Sequence, residues 1–211
     1  MPEASLPAPS PPESLETTPP PGPPAKSVIP PTPGEVITSL ATNTTYTMGE
    51  QIGEGHFGLV YGCTDIWNNN LAAKVLKPEG PYDKVRASAL AELQKLLLLR
   101  HPHITYVYDA FEFRDTFYII TERCHCSLTT LLTLDPFDGI VWLKPIARCL
   151  LQAVQYIHIY QYAHQDIHLG NVFAAFAKDE MNSEDPGAIQ FKLGDLARIS
   201  HQKFTRTVDW W

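Results

Sequence analysis

Basic residues are scarce in this chain, with 16 Lys+Arg against 23 Asp+Glu and a formal net charge of −7. A protein held to nucleic acid by phosphate contacts normally carries a basic surplus, so that class of partner is not expected. Cysteine is scarce as well. Cys63, Cys124, Cys126 and Cys149 form no CxxC pair and no dense disulfide framework, which points to a reducing, cytoplasmic setting. Long apolar runs are missing. None approaches the ~18–20 residues of a membrane-spanning helix, so no membrane partner is expected either. The N-terminus (MPEASLPAPSPPES) lacks the basic start and apolar core of a secretory signal.

Proline is abundant and concentrated. Thirteen of the 19 prolines fall within residues 1–34. Such a segment buries too little apolar surface to offset backbone entropy, so residues 1–44 read as a disordered, proline-rich tail. Within it, Pro21-Gly22-Pro23-Pro24-Ala25-Lys26 fits the pattern read by polyproline-binding domains, although proline-rich tails generate such matches by chance.

The folded part is expected to begin near Thr45. Tyr46 to Tyr61 reads as strand, glycine turn, strand, and Leu71 to Leu76 as a further strand. Asp83 to Arg100 is rich in Ala and Leu with no internal Gly or Pro, so it reads as a helix ended by His101-Pro102. Ile104 to Phe113 and Thr116 to Thr121 are β-branched and aromatic and predict a hairpin turning at Arg114-Asp115. From Val141 onward the pattern is helical, with Ile146, Leu150, Leu151, Val154 and Ile157 spaced for one apolar face. Strands first and helices later predict an α+β fold in two lobes.

Three places carry chemistry. Gly53-Glu54-Gly55-His56-Phe57-Gly58-Leu59-Val60 reads GxGxxGxV. Without Cβ atoms, the backbone N–H groups of such a turn can approach phosphate oxygens closely. A dinucleotide fold would continue into a helix, whereas Leu59 to Thr64 reads as a strand. Lys74 shares a strand face with Ala72 and Leu76, and an ammonium on a half-buried face needs a partner. Glu92 lies in a helical stripe with Ala89, Leu93 and Leu96, so its carboxylate also needs one, and each is the other's candidate. Finally, His164-Gln165-Asp166-Ile167-His168-Leu169-Gly170-Asn171 sets an Asp and an Asn five residues apart in a loop, and Asp195 ends a later short strand. Asp166 can take or orient a hydroxyl proton. Asn171 and Asp195 offer the oxygen ligands that Mg²⁺ requires.

The ordered set of GxGxxGxV, LAAK, a helical Glu, HPHI, HxDxxxxN and a later Asp resembles the protein kinase superfamily over roughly residues 46 to 211. The resemblance implies a bilobal kinase-like fold. Its small lobe (45–122) would hold an antiparallel sheet plus one helix. The large lobe (123–211) would be partial and helical, ending in the activation segment before an APE motif. The 211 residues thus read as a fragment. It implies ATP and Mg²⁺ as cofactors and a protein as substrate. Ile52, Gly53, Gly55, Gly58, Val60 and Ala72 would enclose the nucleotide. Lys74 would bind its phosphates, held by Glu92. Thr121, Glu122 and Cys124 would form the hinge to adenine, with Thr121 as gatekeeper. Asp166 would be the catalytic base, and Asn171 and Asp195 the metal ligands.

The sequence also departs from the family. Gln165 replaces the Arg before the catalytic Asp, so phosphorylation of Thr205 or Thr207 is expected not to act as a strong switch. His168 stands where Ser/Thr kinases have Lys, as in aminoglycoside- and choline-type kinases. DFG reads Asp195-Leu196-Ala197, and Ala177 to Gly187 predicts a surface hairpin extension. Three readings follow: a non-RD protein kinase directed at Ser/Thr, a pseudokinase or scaffold, and a small-molecule kinase, against which HPHI and the hinge speak.

Overall fold

The computed structural model describes residues 29–55, 58–77, 97–135, 137–176, 189–196 and 199–201, with Ala87 and Leu93 as single positions. The tail motif at 21–26, Glu92, the 177–187 extension, Ala197, Thr205 and Thr207 lie outside the described residues. Ala87, Leu93, Leu97 and Leu98 have helical backbone, within the predicted 83–100 helix.

Six strands form one antiparallel sheet: β1 (Val36–Ser39), β2 (Thr44–Gly55), β3 (Gly58–Asp65), β4 (Asn70–Leu76), β5 (Val107–Phe113) and β6 (Thr116–Glu122). Their order is β1-β2-β3-β4-β6-β5. The unbroken apolar stretch of β6 has a simple cause. Tyr118 and Ile120 enter a core formed within the sheet, while Phe117 and Ile119 enter a second core on its other face. Period-two alternation therefore buries both sides of the strand. Within the first core the rings of Tyr46, Phe111 and Tyr118 stack in series at 5.7 and 5.5 Å.

The ordered chain begins earlier than the sequence suggests. β1 pairs with β2 in the register Val36↔Thr47 to Ser39↔Thr44, upstream of the expected start at Thr45. Its Ile37 is fully buried in the first core. β1 also packs on β5, so the two edges of the sheet approach each other. Asp109 of β5 joins them, accepting from Thr42 Oγ1 at 2.6 Å and from the Tyr46 hydroxyl at 3.0 Å. Arg114 adds an ion pair to Glu35 at 2.7 Å. Covering an edge strand in this way removes its unpaired backbone groups from solvent. The β5 strand is also shorter than expected: Ile104 makes only an isolated bridge to Leu193, and regular pairing starts at Val107.

After the sheet come β7 (Cys126–Ser127), α1 (Leu128–Leu131) and the long helix α2 (Gly139–Ile159). Asp138 caps α2 by accepting from the Ile140 N–H at 2.8 Å. Its inner stripe is Ile146, Leu150, Ala153 and Ile157, spaced i, i+4, i+7, i+11, packed toward the second core. Ile157 is fully buried there, worth about 1.5–3 kcal/mol of apolar transfer. Leu151 was expected on this face but is 70% exposed, because one residue past Leu150 turns ~100° off the stripe. Then follow β8 (Tyr162–Ala163), a 3₁₀ turn (Leu169–Asn171), β9 (Val172–Phe176), β10 (Ile189–Leu193) and β11 (Ser200–His201). β10, β9 and β7 form a small sheet, and β11 pairs with β8. All four cysteines are unbridged thiols. Among the described residues no helix is long and apolar enough to cross a membrane.

Candidate active site

A cleft of about 500 Å³ opens between the first sheet and the loops that flank β9 and β10. One wall is made of strands. Ile52, Gly53 and Gly55 at the end of β2, Gly58 and Val60 at the start of β3, and Ala72 and Lys74 on β4 all line it. Register explains the grouping, since Gly53 pairs with Val60 and Val60 with Lys74. The glycines differ in why they are glycine. A Cβ on Gly58 would collide with the Val75 carbonyl oxygen, whereas one on Gly55 would meet nothing within 4 Å. Gly58 is thus set by backbone crowding against β4, and Gly55 leaves open space.

The back of the cleft is the stretch Thr121 to Cys124. Thr121 pairs with Ala72, and its Oγ1 donates to the Ala72 carbonyl at 3.5 Å. The Glu122 carboxylate is engaged elsewhere. It accepts from Lys192 Nζ at 3.0 Å and from the Tyr106 N–H at 2.8 Å. Arg123 reaches back to Asn70 Oδ1 at 3.0 Å. Burial, and then the neighbouring Glu122 charge, push the Cys124 thiol up to about 12. That leaves it a neutral wall residue rather than a nucleophile.

The opposite wall is made of loops. His164 is 1% exposed and sits at their centre. Its Nδ1 accepts from the Asp166 N–H at 3.3 Å, and its Nε2 donates to the Gly194 carbonyl at 3.0 Å. One neutral imidazole therefore ties the start of the HxDxxxxN loop to the residue before Asp195. Asn171 Nδ2 donates to the Asp166 carbonyl at 2.9 Å and to its carboxylate at 3.2 Å. Asn171 and Asp195 line the cleft, and Asp166 lies beside Asn171. Lys74 Nζ crosses the cleft to Asp195 Oδ1 at 2.7 Å, with both side chains about three-quarters buried.

Two non-glycine residues here have left-handed backbone, Gln165 at φ 64° and Asp195 at φ 53°. Such residues are uncommon and cluster where surrounding contacts hold them. The departures found in sequence have definite places. Gln165 Nε2 donates to Ser200 Oγ at 2.7 Å, a neutral contact between the loop and β11. His168 Nδ1 accepts from the Gly170 N–H at 3.0 Å and caps the 3₁₀ turn.

Sequence reasoning overlooked Phe173, Thr105, Ser127 and Leu196, which also line the cleft, and the linking role of His164. Phe173 had a signal: on a strand that follows Asn171, period-two alternation puts residue 173 on the same face.

The family described as "Protein kinase domain" matches residues 46–210. The chain is 27% identical over 166 residues to the serine/threonine-protein kinase PLK2 of Mus musculus, covering 76% of this chain and 22% of that protein. It is 26% identical over 167 residues to cyclin-dependent kinase D-1 of Arabidopsis thaliana, covering 76% of this chain and 41% of that one. It is 30% identical over 128 residues to the serine/threonine-protein kinase TIO of the same plant, covering 60% and 10%. The chain spans less than half the length of each of these relatives. With the family match extending over most of its length, the chain belongs to the protein kinase superfamily.

Proposed function

We propose that this chain forms the nucleotide-binding part of a bilobal protein kinase that transfers the γ-phosphoryl group of ATP to a protein hydroxyl, Ser or Thr, and that lacks the Arg before its catalytic Asp. The observation that carries this reading is the Lys74–Asp195 pair at 2.7 Å across a cleft whose edge also holds Asn171. A cation from the sheet and a carboxylate from the loops meet where a triphosphate would lie.

The residues fit Mg²⁺. Asp195 supplies a carboxylate. Asn171 spends its Nδ2 on Asp166, which leaves its Oδ1 as a neutral oxygen donor. When bound, the ion neutralises charge on the phosphates. In this reading the glycine hairpin covers the phosphates with backbone N–H groups, and Lys74 binds the α- and β-phosphates. Glu92 lies outside the described residues; by the family resemblance it would be the partner of Lys74. Val60, Ala72 and Phe173 enclose the adenine, which the backbone of residues 121–124 meets at its edge. Asp166 accepts the proton of the incoming hydroxyl. The protein's contribution is positioning and electrostatics.

The proline-rich segment would be a docking arm for a polyproline-reading domain, and the setting cytoplasmic. A second reading, a kinase-fold binding module, is favoured by one contact: Gln165 engages Ser200 without charge. Transfer of labelled phosphate from ATP to protein, compared with small hydroxyl and amine acceptors, separates the readings. The wild-type chain is expected to label protein only, with Asp166→Asn reducing the rate by at least ~10²-fold. ATP binding without transfer to any acceptor favours the binding module. Labelling of small acceptors alone refutes the protein kinase assignment.

A further inference from the structure

Phe173 and Gly194 meet at the floor of the cleft. A methyl group on Gly194 would lie 2.6 Å from Phe173 Cε2, 2.8 Å from its Cδ2 and 3.1 Å from Thr105 Cγ2. Carbon atoms rest at ~3.5–4.0 Å, so an alanine here overlaps both neighbours. Neither side yields without consequence. The Gly194 N–H donates to the Asn171 carbonyl at 2.8 Å, its carbonyl accepts from His164 at 3.0 Å, and Asp195 follows directly. The Phe173 ring lines the cleft, so a shift forced on it by residue 194 alters the cleft wall.

We propose that Phe173 is a positioning residue. Its ring dictates glycine at 194 and, through that close contact, fixes where the Asp195 carboxylate stands. The floor of the cleft and the carboxylate that pairs with Lys74 then form one packed unit. The Mg²⁺-dependent part of this inference rests on the nucleotide reading above, and the packing part does not. A smaller aliphatic side chain at 173 would release the constraint, and alanine at 194 would become acceptable.

The test uses the full chain as wild type, Phe173→Leu, Gly194→Ala and the double variant. Two quantities are read: the unfolding temperature without nucleotide, and ATP affinity with and without Mg²⁺. Gly194→Ala is expected to lower the unfolding temperature and to weaken ATP binding in Mg²⁺ roughly tenfold, shrinking the ratio of affinities with and without the ion. The double variant is expected to recover the ratio and to unfold at a higher temperature than Gly194→Ala. The proposal is overturned if Gly194→Ala matches wild type, or if the double variant is no better than Gly194→Ala. Should wild type bind no ATP, the nucleotide reading falls, and the unfolding temperatures still decide: rescue supports the packed unit and additivity refutes it. Should Gly194→Ala fail to fold, a folded double variant supports the proposal and an unfolded one overturns it.

Discussion

The two walls of the cleft are built by different means. The strand wall places Gly53, Val60, Ala72, Lys74 and Thr121 by register alone, one pair after the next across β2, β3, β4 and β6. The loop wall places Asp166, Asn171 and Asp195 by hydrogen bonds to a buried histidine, by an Asn–Asp contact and by left-handed backbone at Gln165 and Asp195. A ladder tolerates the loss of one contact because its neighbours keep the register. A loop held by a few polar contacts has no such redundancy. Losing a contact that holds the sheet should therefore affect stability more than binding, and losing a contact that holds the loops should affect both.

The sharpest contrast sets His164 against Asp109. His164→Ala removes a buried ring and leaves the Gly194 carbonyl and the Asp166 N–H without it. A loss of about 2–4 kcal/mol is expected in denaturant unfolding, together with loss of Mg²⁺-dependent ATP binding. Asp109→Ala leaves the hydroxyls of Thr42 and Tyr46 without their acceptor, an expected cost of about 1–3 kcal/mol. Asp109 does not line the cleft, so ATP affinity should stay within about twofold of wild type. If Asp109→Ala abolished binding at full stability, the contacts that hold the sheet would not be separable from the cleft.

A smaller effect is expected at Gln165. Gln165→Ala removes a neutral hydrogen bond to Ser200, worth about 0.5–1.5 kcal/mol, and should raise amide exchange at Tyr162 and Ala163, which pair with β11. Unchanged exchange would mean that the strand pair holds without this contact.

The smallest effect is a pH slope. Burial, followed by the nearby charges of His103 and Lys192, holds His101 below the ordinary imidazole value. In the window from about 6.5 down to that lowered value the unfolded chain binds more protons than the folded one. Stability contributed by neutral His101 is therefore present above the window and lost as pH falls through it. His101→Gln should flatten the dependence below about pH 7 in urea unfolding. An identical slope would exclude His101 as its source.

The same division explains what could be read from sequence. Strand-wall residues were legible because alternation and the glycine spacing fix both element and face. The order of motifs brought Asp166, Asn171 and Asp195 into view; Asn171 and Asp195 line the cleft, and Asp166 is hydrogen-bonded to Asn171. β1 was hidden because Val36–Ser39 follows directly on the prolines; it orders by pairing with β2 and by packing on the β5 edge. Phe173 sits in an apolar run that reads as core, and only its two-residue spacing from Asn171 marks it as facing the cleft. The left-handed backbone at Asp195 follows from His164, Asn171 and the ion pair around it, and no local pattern of residues encodes that.

The most direct measurement of the central claim is an ATP titration with and without Mg²⁺ on wild type, Lys74→Met and Asp195→Asn, each first shown to be folded. ATP should bind wild type more tightly in Mg²⁺, Lys74→Met should weaken binding at least tenfold, and Asp195→Asn should erase the Mg²⁺ effect. Equal ATP affinity in all three proteins, indifferent to the ion, would contradict a cleft organised around the cation at 74 and the carboxylate at 195.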